Sequence, residues 1–329
     1  MKYFWKNKRV LVTGATGFIG SHAVDELVQR GAIVTAVASP STDVNKIKQN
    51  LGHLGKKITL VKQDLLSVEN CLEVTRNQSI VFNFAAMDGG VYFKMKHPAK
   101  IFRTNSLITL NILEASSRNN VERFFLASSI EVYPGNLPME ISEEYGFREG
   151  LDEKTEGYSW SKRLSEMAAR MYQKEYGMKI AIARFGNIYG PRDYADKEKG
   201  RIIPTFITQS LTGKNITIVG DGMQERSFLY VTDLIQGVME LIEKYPECDP
   251  VNIASSKYIT IKDLAKLIIT TVGNKNNIIF ENRDISFGKK RRISIDKAKS
   301  VIGFKEKDSI ETGIQKTIEY FKKNNKYTN

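Results

Sequence analysis

The segment "RVLVTGATGFIGSH" (9–22) restricts the fold more than any other part of the chain. An apolar, β-branched run ends at Gly14. Glycines recur at Gly17 and Gly20, and an amphipathic stretch follows, "IGSHAVDELVQRG" (19–31), which Gly31 would close. Strand, glycine loop and helix in this order bring backbone amides and a helix N-terminus to one point, which suits a pyrophosphate. Such glycine spacing alone is weak; the strand before it and the helix after it make a dinucleotide the expected ligand.

The same alternation continues. "AIVTAVA" (32–38), "KITLVKQ" (57–63), "SIVFNFAA" (79–86) and "RFFLASS" (123–129) are short apolar runs without strict alternation, as in strands covered on both faces. Between them, Ile101, Asn105, Ile108, Ile112 and Ala115 stand at helical spacing over 100–119. The expectation is an α/β fold: a doubly wound parallel (Rossmann) sheet with a smaller C-terminal substrate-binding part. "KIAIARF" (179–185) adds a sixth strand and "PVNIAS" (250–255) a seventh. After "YGPRD" (189–193) the pattern loosens, and 194–225 reads as loop, with Gly200, Pro204, Gly213, Gly220 and Gly222. "FLYVTDLIQGVMELIEKY" (228–245) reads as a helix returning to the sheet. The division expected is a nucleotide-binding domain over 1–190 with a return segment at 226–255, and a substrate-binding domain from 191–225 and 256–329.

Several side chains stand where strands run out. Asp64, at the end of "VKQDLL", is placed to bond an adenine amine or to cap the next helix. The acid expected about 20 residues past the glycine loop for a ribose 2′-hydroxyl is missing. Ala38 and Ser39 stand there, with no arginine for a 2′-phosphate, so NAD is favoured only slightly and NADP stays open. "YSWSK" (158–162) puts Tyr158 and Lys162 on one helix face. An ammonium beside the phenol would favour the phenolate. Ser129 ends a strand about 30 residues earlier and is placed to bond the same substrate hydroxyl. Glu131 follows in "SSIEVYP" (128–134). A carboxylate at the edge of a core is costly unless paired or employed.

Composition removes other classes. With 329 residues and 41% hydrophobic content, the chain has length for a substantial core. Its start has no apolar core for a signal peptide, and no apolar run is long enough for a membrane span. Cys71 and Cys248 lack motif spacing and read as free thiols of a reducing cytoplasm. His22, His53 and His97 do not cluster, so no metal site is expected. The net charge of +12 gathers late, in "GKKRR" (288–292) and "YFKKNNKY" (320–327). It reads mostly as a solvated basic face.

The stretches "VLVTGATGFIGSH", "NFAAMDGG", "FFLASSIEVYP", "YSWSK", "RFGNIYGPRD", "GDGMQERSFLYVTD" and "RRISIDKAKSVIGF" span nearly the whole chain in order. Together they resemble the extended short-chain dehydrogenases/reductases, in particular the nucleotide-sugar epimerases, dehydratases and decarboxylases. The resemblance implies NAD(P) on Gly14, Gly17 and Gly20, with Thr16, Phe18, Ile19, Ser39, Asp64, Leu65, Ala85, Ala86 and Phe185 around it. It implies Ser129, Tyr158 and Lys162 as a catalytic triad. Gly89, Ser129, Asn187, Arg201, Arg226 and Arg292 would contact a nucleoside-diphosphate sugar, the arginines suiting its phosphates. It also implies a homodimer through a helical bundle, for which Leu164, Met167 and Met171 are candidates. "AAMDGG", "SSIEVYP" and "GRIIP" are most similar to GDP-mannose 3,5-epimerase and GDP-fucose synthase, favouring a GDP-sugar. Those enzymes carry cysteine at the position of Glu131 and lysine or histidine near Arg201. The 4,6-dehydratases and UDP-glucuronate decarboxylases carry glutamate at 131, and many glucose-type dehydratases an aspartate before it, where this chain has Ile130.

The function expected is an NAD(P)-dependent nucleotide-sugar epimerase. C4 of the hexose is oxidised, and Glu131 then removes a proton from C3 or C5. A 4,6-dehydratase is the alternative, and a structural carboxylate paired with a cation is the alternative for Glu131. A non-catalytic nucleic-acid-binding or redox-sensing member of the fold is a lesser reading, against which the intact Ser129, Tyr158 and Lys162 argue. No nucleic acid or membrane partner is expected.

Overall fold

A computed structural model describes residues 4–135, 137, 140–193, 200–281 and 292–324. The chain starts β1 (Arg9–Thr13), α1 (Phe18–Gln29), β2 (Ile33–Ala38), α2 (Val44–Leu51), β3 (Ile58–Lys62) and α3 (Val68–Thr75). It continues through β4 (Ile80–Asn83), α4 (Val91–Lys96), α5 (Pro98–Arg118), β5 (Arg123–Ser129) and β6 (Glu140–Ile141). Then come α6 (Glu156–Tyr176), β7 (Lys179–Phe185), β8 (Asn187–Tyr189), α7 (Ile202–Leu211), β9 (Ile216–Val219) and β10 (Glu225–Tyr230). It ends α8 (Val231–Lys244), β11 (Val251–Ile253), β12 (Tyr258–Thr260), α9 (Ile261–Val272), β13 (Ile278–Glu281), β14 (Arg292–Ile293), α10 (Asp296–Ile302) and α11 (Ile310–Asn324).

Seven strands form one parallel sheet in the order β11-β7-β5-β4-β1-β2-β3. Successive residues of β1 serve opposite faces: Val10 and Val12 enter one core, Leu11 the other. Helices α1, α8 and α10 cover the first face, and α3, α5 and α6 the second. Both layers are apolar, which is why the inner strands lack a polar alternation, whereas β3, expected to be covered on both faces, is an edge strand and largely exposed. Cys71 and Cys248 are buried free thiols in the second layer. Gly31 stands one residue beyond the cap of α1, with φ +81°, a left-handed turn that glycine adopts without strain.

Two sequence expectations need correction. The stretch 194–225 is not all loop: it holds α7 and β9. In α7 the side chains of Ile203, Phe206 and Ile207 are buried against α9, α11 and β9, in a third core. Pro204 falls in the first turn of α7, where proline is tolerated, so it does not break the helix. In "FLYVTD", Phe228, Leu229 and Tyr230 belong to strand β10, and the helix begins at Val231. The basic stretch at 288–291 lies outside the described residues, as does Lys326. Among the described residues, no helix is long and apolar enough to cross a membrane.

Candidate active site

The site forms at the C-terminal edge of the sheet, where β1, β4 and β5 end. Gly14 has φ +62°, and a Cβ there would lie 2.9 Å from Ala85 N. A Cβ on Gly20 would lie 2.3 Å from Gly14 O, so only glycine lets α1 start this close to β1. Thr13 Oγ1 donates to Asn83 Oδ1 at 2.8 Å and accepts from Ala85 N at 3.1 Å, which draws Ala85 and Ala86 to the loop. Gly17 caps α1 without a side-chain hydrogen bond, and the first turn holds no acid. The first amides of α1, including those of Phe18 and Ile19, therefore present donors and the positive end of the helix. This fits the pyrophosphate of a dinucleotide. Thr16 is buried, and its carbonyl accepts from Asn50 Nδ2 at 2.9 Å.

At the end of β2, Ser39 Oγ lies 3.0 Å from Ser41 Oγ. Ala38 is in register with Lys62 of β3, whose Nζ donates to Thr42 O at 3.1 Å. Lys62 is a cation beside the β2 terminus that the sequence pattern did not single out. Asp64 Oδ1 accepts from Leu66 N at 3.0 Å in a local turn, and Leu65 is buried. Ser67, not Asp64, caps α3. The helix-cap alternative for Asp64 is thereby corrected.

Ser129 is the last residue of β5, and a tight turn over Ile130–Val132 follows. Ser129 Oγ accepts from Glu131 N at 3.2 Å and is hydrogen-bonded to Tyr158. Tyr158 and Lys162 lie one turn apart on α6, both buried. Lys162 Nζ donates to Ala127 O at 2.7 Å and lies 5.5 Å from the Tyr158 ring centroid. Burial pushes the Lys162 ammonium down to about 8. Burial raises the Tyr158 phenol well above its ordinary value, and the Asp88 and Glu131 carboxylates add to the rise. Phe185, at the end of β7, stacks on Phe84 and Phe125 beside this group.

Helix α6 is fixed from below. Glu166 Oε1 accepts from Ser128 Oγ at 2.6 Å and from Arg184 Nε at 2.9 Å, and its Oε2 from Arg184 Nη2 at 2.7 Å. Arg184 also donates to Tyr133 Oη at 3.0 Å and to Glu143 O at 2.6 Å. Both charges are buried, and their satisfied, bidentate geometry allows it.

Lys94 of α4 is the site residue that sequence reasoning missed. Its side chain is 7% exposed, with Nζ 2.7 Å from Glu131 Oε1 and 3.0 Å from Asp88 Oδ1. The same ammonium lies 3.9 Å from the Tyr158 ring centroid. Asp88 Oδ2 accepts from Arg201 at 2.9 Å, and Arg201 also bonds Asp193 at 2.8 Å. Opposite charges thus alternate: Glu131, Lys94, Asp88, Arg201, Asp193. Burial pushes the Asp88 carboxyl up, but Lys94 and Arg201 outweigh it and hold it well below the usual carboxylate range. Burial likewise lowers Lys94, and the carboxylates of Asp88 and Glu131 more than reverse this. Glu131 Oε2 is buried and accepts no hydrogen bond among the described residues. The only trace in the sequence is an acid and a base flanking a glycine pair in "DGGVYFK".

Of the expected substrate residues, Ser129, Arg201 and Gly89 fall in this group, Gly89 lying against Phe93. Asn187, Arg226 and Arg292 gather instead around β10. Asn187 Nδ2 donates to Ser227 O at 3.0 Å, Arg226 Nη1 to Glu225 O at 2.8 Å, and Arg292 lies 3.8 Å from Glu225 Oε2.

Comparison with known proteins agrees with this layout. Residues 10–254 match the family model described as the NAD dependent epimerase/dehydratase family. The chain is 31% identical over 324 residues to dTDP-4-dehydro-6-deoxy-D-allose reductase of Streptomyces bikiniensis, covering 97% of each. It is 32% identical to UDP-glucuronic acid decarboxylase 6 of Arabidopsis thaliana, over 98% of this chain and 91% of that one. Its fold is similar to the crystal structure of UDP-glucose 4-epimerase with UDP-glucose from Thermotoga maritima: TM-score 0.86, 28% identity, 96% of this chain and 99% of that one. With its glycine loop, sheet order and strand-end residues all in place, the chain belongs to the NAD dependent epimerase/dehydratase family of nucleotide-sugar enzymes.

Proposed function

We propose that the protein is a nucleotide-sugar epimerase that works through a 4-keto sugar, with Glu131 as the base at C3 or C5. The observation that carries this reading is Glu131 itself. It is anchored through one oxygen, and its other is left without a partner beside Ser129 and Tyr158. NAD, bound by the glycine loop and the amides of α1, supplies hydride acceptance and return at C4. Tyr158 takes the proton of the C4 hydroxyl, Ser129 holds that oxygen, and Lys162 favours the phenolate. The ketone acidifies C3–H and C5–H, Glu131 removes one proton, and return from the opposite face inverts the centre. A simple C4 epimerase would need no carboxylate here.

A second reading, the 4,6-dehydratase, is favoured by one specific contact. A base and a proton donor, Glu131 and Lys94, stand 2.7 Å apart on one flank, as elimination across C5 and C6 asks. Incubation with GDP-, UDP-, CDP- and dTDP-sugars in heavy water separates the two, with products read by mass spectrometry and NMR. Deuterium at C3 or C5 with all hydroxyls retained is the epimerase result; a lost C6 hydroxyl is the dehydratase result. Carbon-bound deuterium absent from every product would overturn both. The sequence favours GDP-sugars, whereas the names of the relatives carry dTDP and UDP, so the panel spans all of them.

The remaining assignments belong to the same reading. Residues 1–190 and 226–255 hold the cofactor, and 191–225 with 256–329 hold the sugar nucleotide in the cytoplasm. Arg226 and Arg292 grip the diphosphate, with Asn187 alongside. Arg226→Ala should then raise KM for the nucleotide sugar more than it lowers kcat, because the diphosphate is unchanged along the reaction. An unaltered KM in steady-state kinetics would remove Arg226 from the site.

The protein pairs with a second copy through α5 and α6. Trp160, Met167 and Met171 on α6 and Phe102 on α5 are exposed apolar side chains on adjoining helices. Trp160→Glu combined with Met167→Glu should give a folded monomer by light scattering. A dimer that persists would place the contact elsewhere.

A further inference from the structure

We propose that Lys94 is a positioning residue that sets Glu131 and Tyr158 against one shared cation, orienting the carboxylate and offsetting part of what burial costs the phenolate. The inference rests on the reading of Glu131 and Tyr158 given above, and adds a residue to it. A single ammonium touches the Glu131 carboxylate at 2.7 Å and covers the Tyr158 ring at 3.9 Å. Lys94 is nearly enclosed, so its charge acts through little solvent and a Coulomb interaction at this range is strong. The cation favours a carboxylate beside it, and it favours a phenolate on the ring it covers.

The charged and titratable groups that Lys94 meets come from separate elements. Asp88 precedes the helix, Glu131 follows β5, and Tyr158 and Lys162 come from α6. Arg201, at the start of α7, acts through Asp88. Asp88 holds Lys94 in place, but its own negative charge opposes the Tyr158 phenolate. The two residues therefore pull Tyr158 in opposite directions, and this makes the assignment testable by sign. Lys94 also holds the Glu131 carboxylate at the core edge by a direct ion pair. One oxygen is neutralised by the ammonium, and the other is left for the substrate proton.

The test uses full-length protein saturated with NAD. Ionisation of Tyr158 is read from phenolate absorbance, as the difference between each protein and its Tyr158→Phe counterpart. Lys94→Met should move this titration upward by about one pH unit or more, the size of a differential interaction near 1.4 kcal/mol. Lys94→Arg keeps the charge and should leave it close to the parent. Asp88→Asn should move it downward. With any nucleotide sugar that turns over, Lys94→Met should also shift the ascending limb of kcat/KM to higher pH, because Tyr158 loses a cation that favours its phenolate. A purely structural lysine would instead lower the rate by one factor at every pH and leave the Tyr158 titration in place; that outcome overturns the proposal. Should Lys94→Met fail to fold, Lys94→Gln, which removes the charge but can still hydrogen-bond Glu131 and Asp88, takes its place, and a Tyr158 titration unmoved in that variant overturns the proposal. If no nucleotide sugar reacts, the functional reading fails while the titration still rules on Lys94.

Discussion

Tyr158→Phe is expected to abolish turnover while cofactor binding and thermal stability stay close to those of the parent. The phenol is the only part removed. The ring keeps its packing against Phe93 and Ile101, and Lys94 still faces an aromatic surface. Lys162 keeps its bond to Ala127 O, and the start of α1 is untouched. What disappears is the oxygen that is hydrogen-bonded to Ser129 and, in the mechanism proposed, takes the substrate proton. Positioned proton transfer is worth roughly 100- to 10,000-fold, so the rate should fall by that range. Cofactor titration by fluorescence and steady-state rates with a reacting sugar nucleotide provide the check. Turnover within a few-fold of the parent would remove Tyr158 from the chemistry.

Glu131→Gln should separate the first half of the reaction from the second. Glutamine has nearly the same shape, and its carbonyl can accept from Lys94. Lys94 keeps Asp88 as a charged partner, so some stability is lost but the fold should persist. The amide cannot take a proton from carbon. Mixed with substrate, the variant should accumulate the absorbance of reduced cofactor, and product should stop forming. In heavy water the parent should place deuterium at C3 or C5, and the variant should place almost none. Parent-like turnover with full deuterium exchange would show that Glu131 is only the counter-ion of Lys94. Collapse of the fold would carry the same message, since removing one member of a buried pair is strongly destabilising.

The central sheet was legible because burial on both faces leaves a clear mark: short runs such as "AIVTAVA" with hardly a polar residue. β5 in particular has the bounds that its composition suggests. The substrate side was less legible because its elements are short and lie between glycines. In α7 only one face is buried, and Gly200 and Gly213 at its borders resemble a loop. Ser129, Tyr158 and Lys162 could be singled out because their spacing is local or falls at a strand end. Lys94 could not. Asp88 stands six residues before it, but Glu131 and Tyr158 come from two other stretches, and only the tertiary fold brings them to Lys94. For the same reason Arg201 was expected to meet substrate, while its bonds to Asp88 and Asp193 appear only in the folded chain.

The Arg184–Glu166 pair beneath the Tyr158 helix has an evolutionary consequence. Glu166 follows Lys162 by one turn, so the bonds that set the rotation of α6 belong to the core that holds the sheet together. Tyr158 cannot drift relative to Ser129 without a loss of global stability, and breaking such a buried pair costs about 3–5 kcal/mol. Most domains have little more than that to spare. Adaptation to a new sugar or a new outcome is thereby steered away from α6 and toward positions whose changes leave the core intact, such as the α4 segment and the β10 arginines. A lineage built on this frame would keep the placement of Tyr158 against Ser129 nearly fixed and diversify in the residues around it.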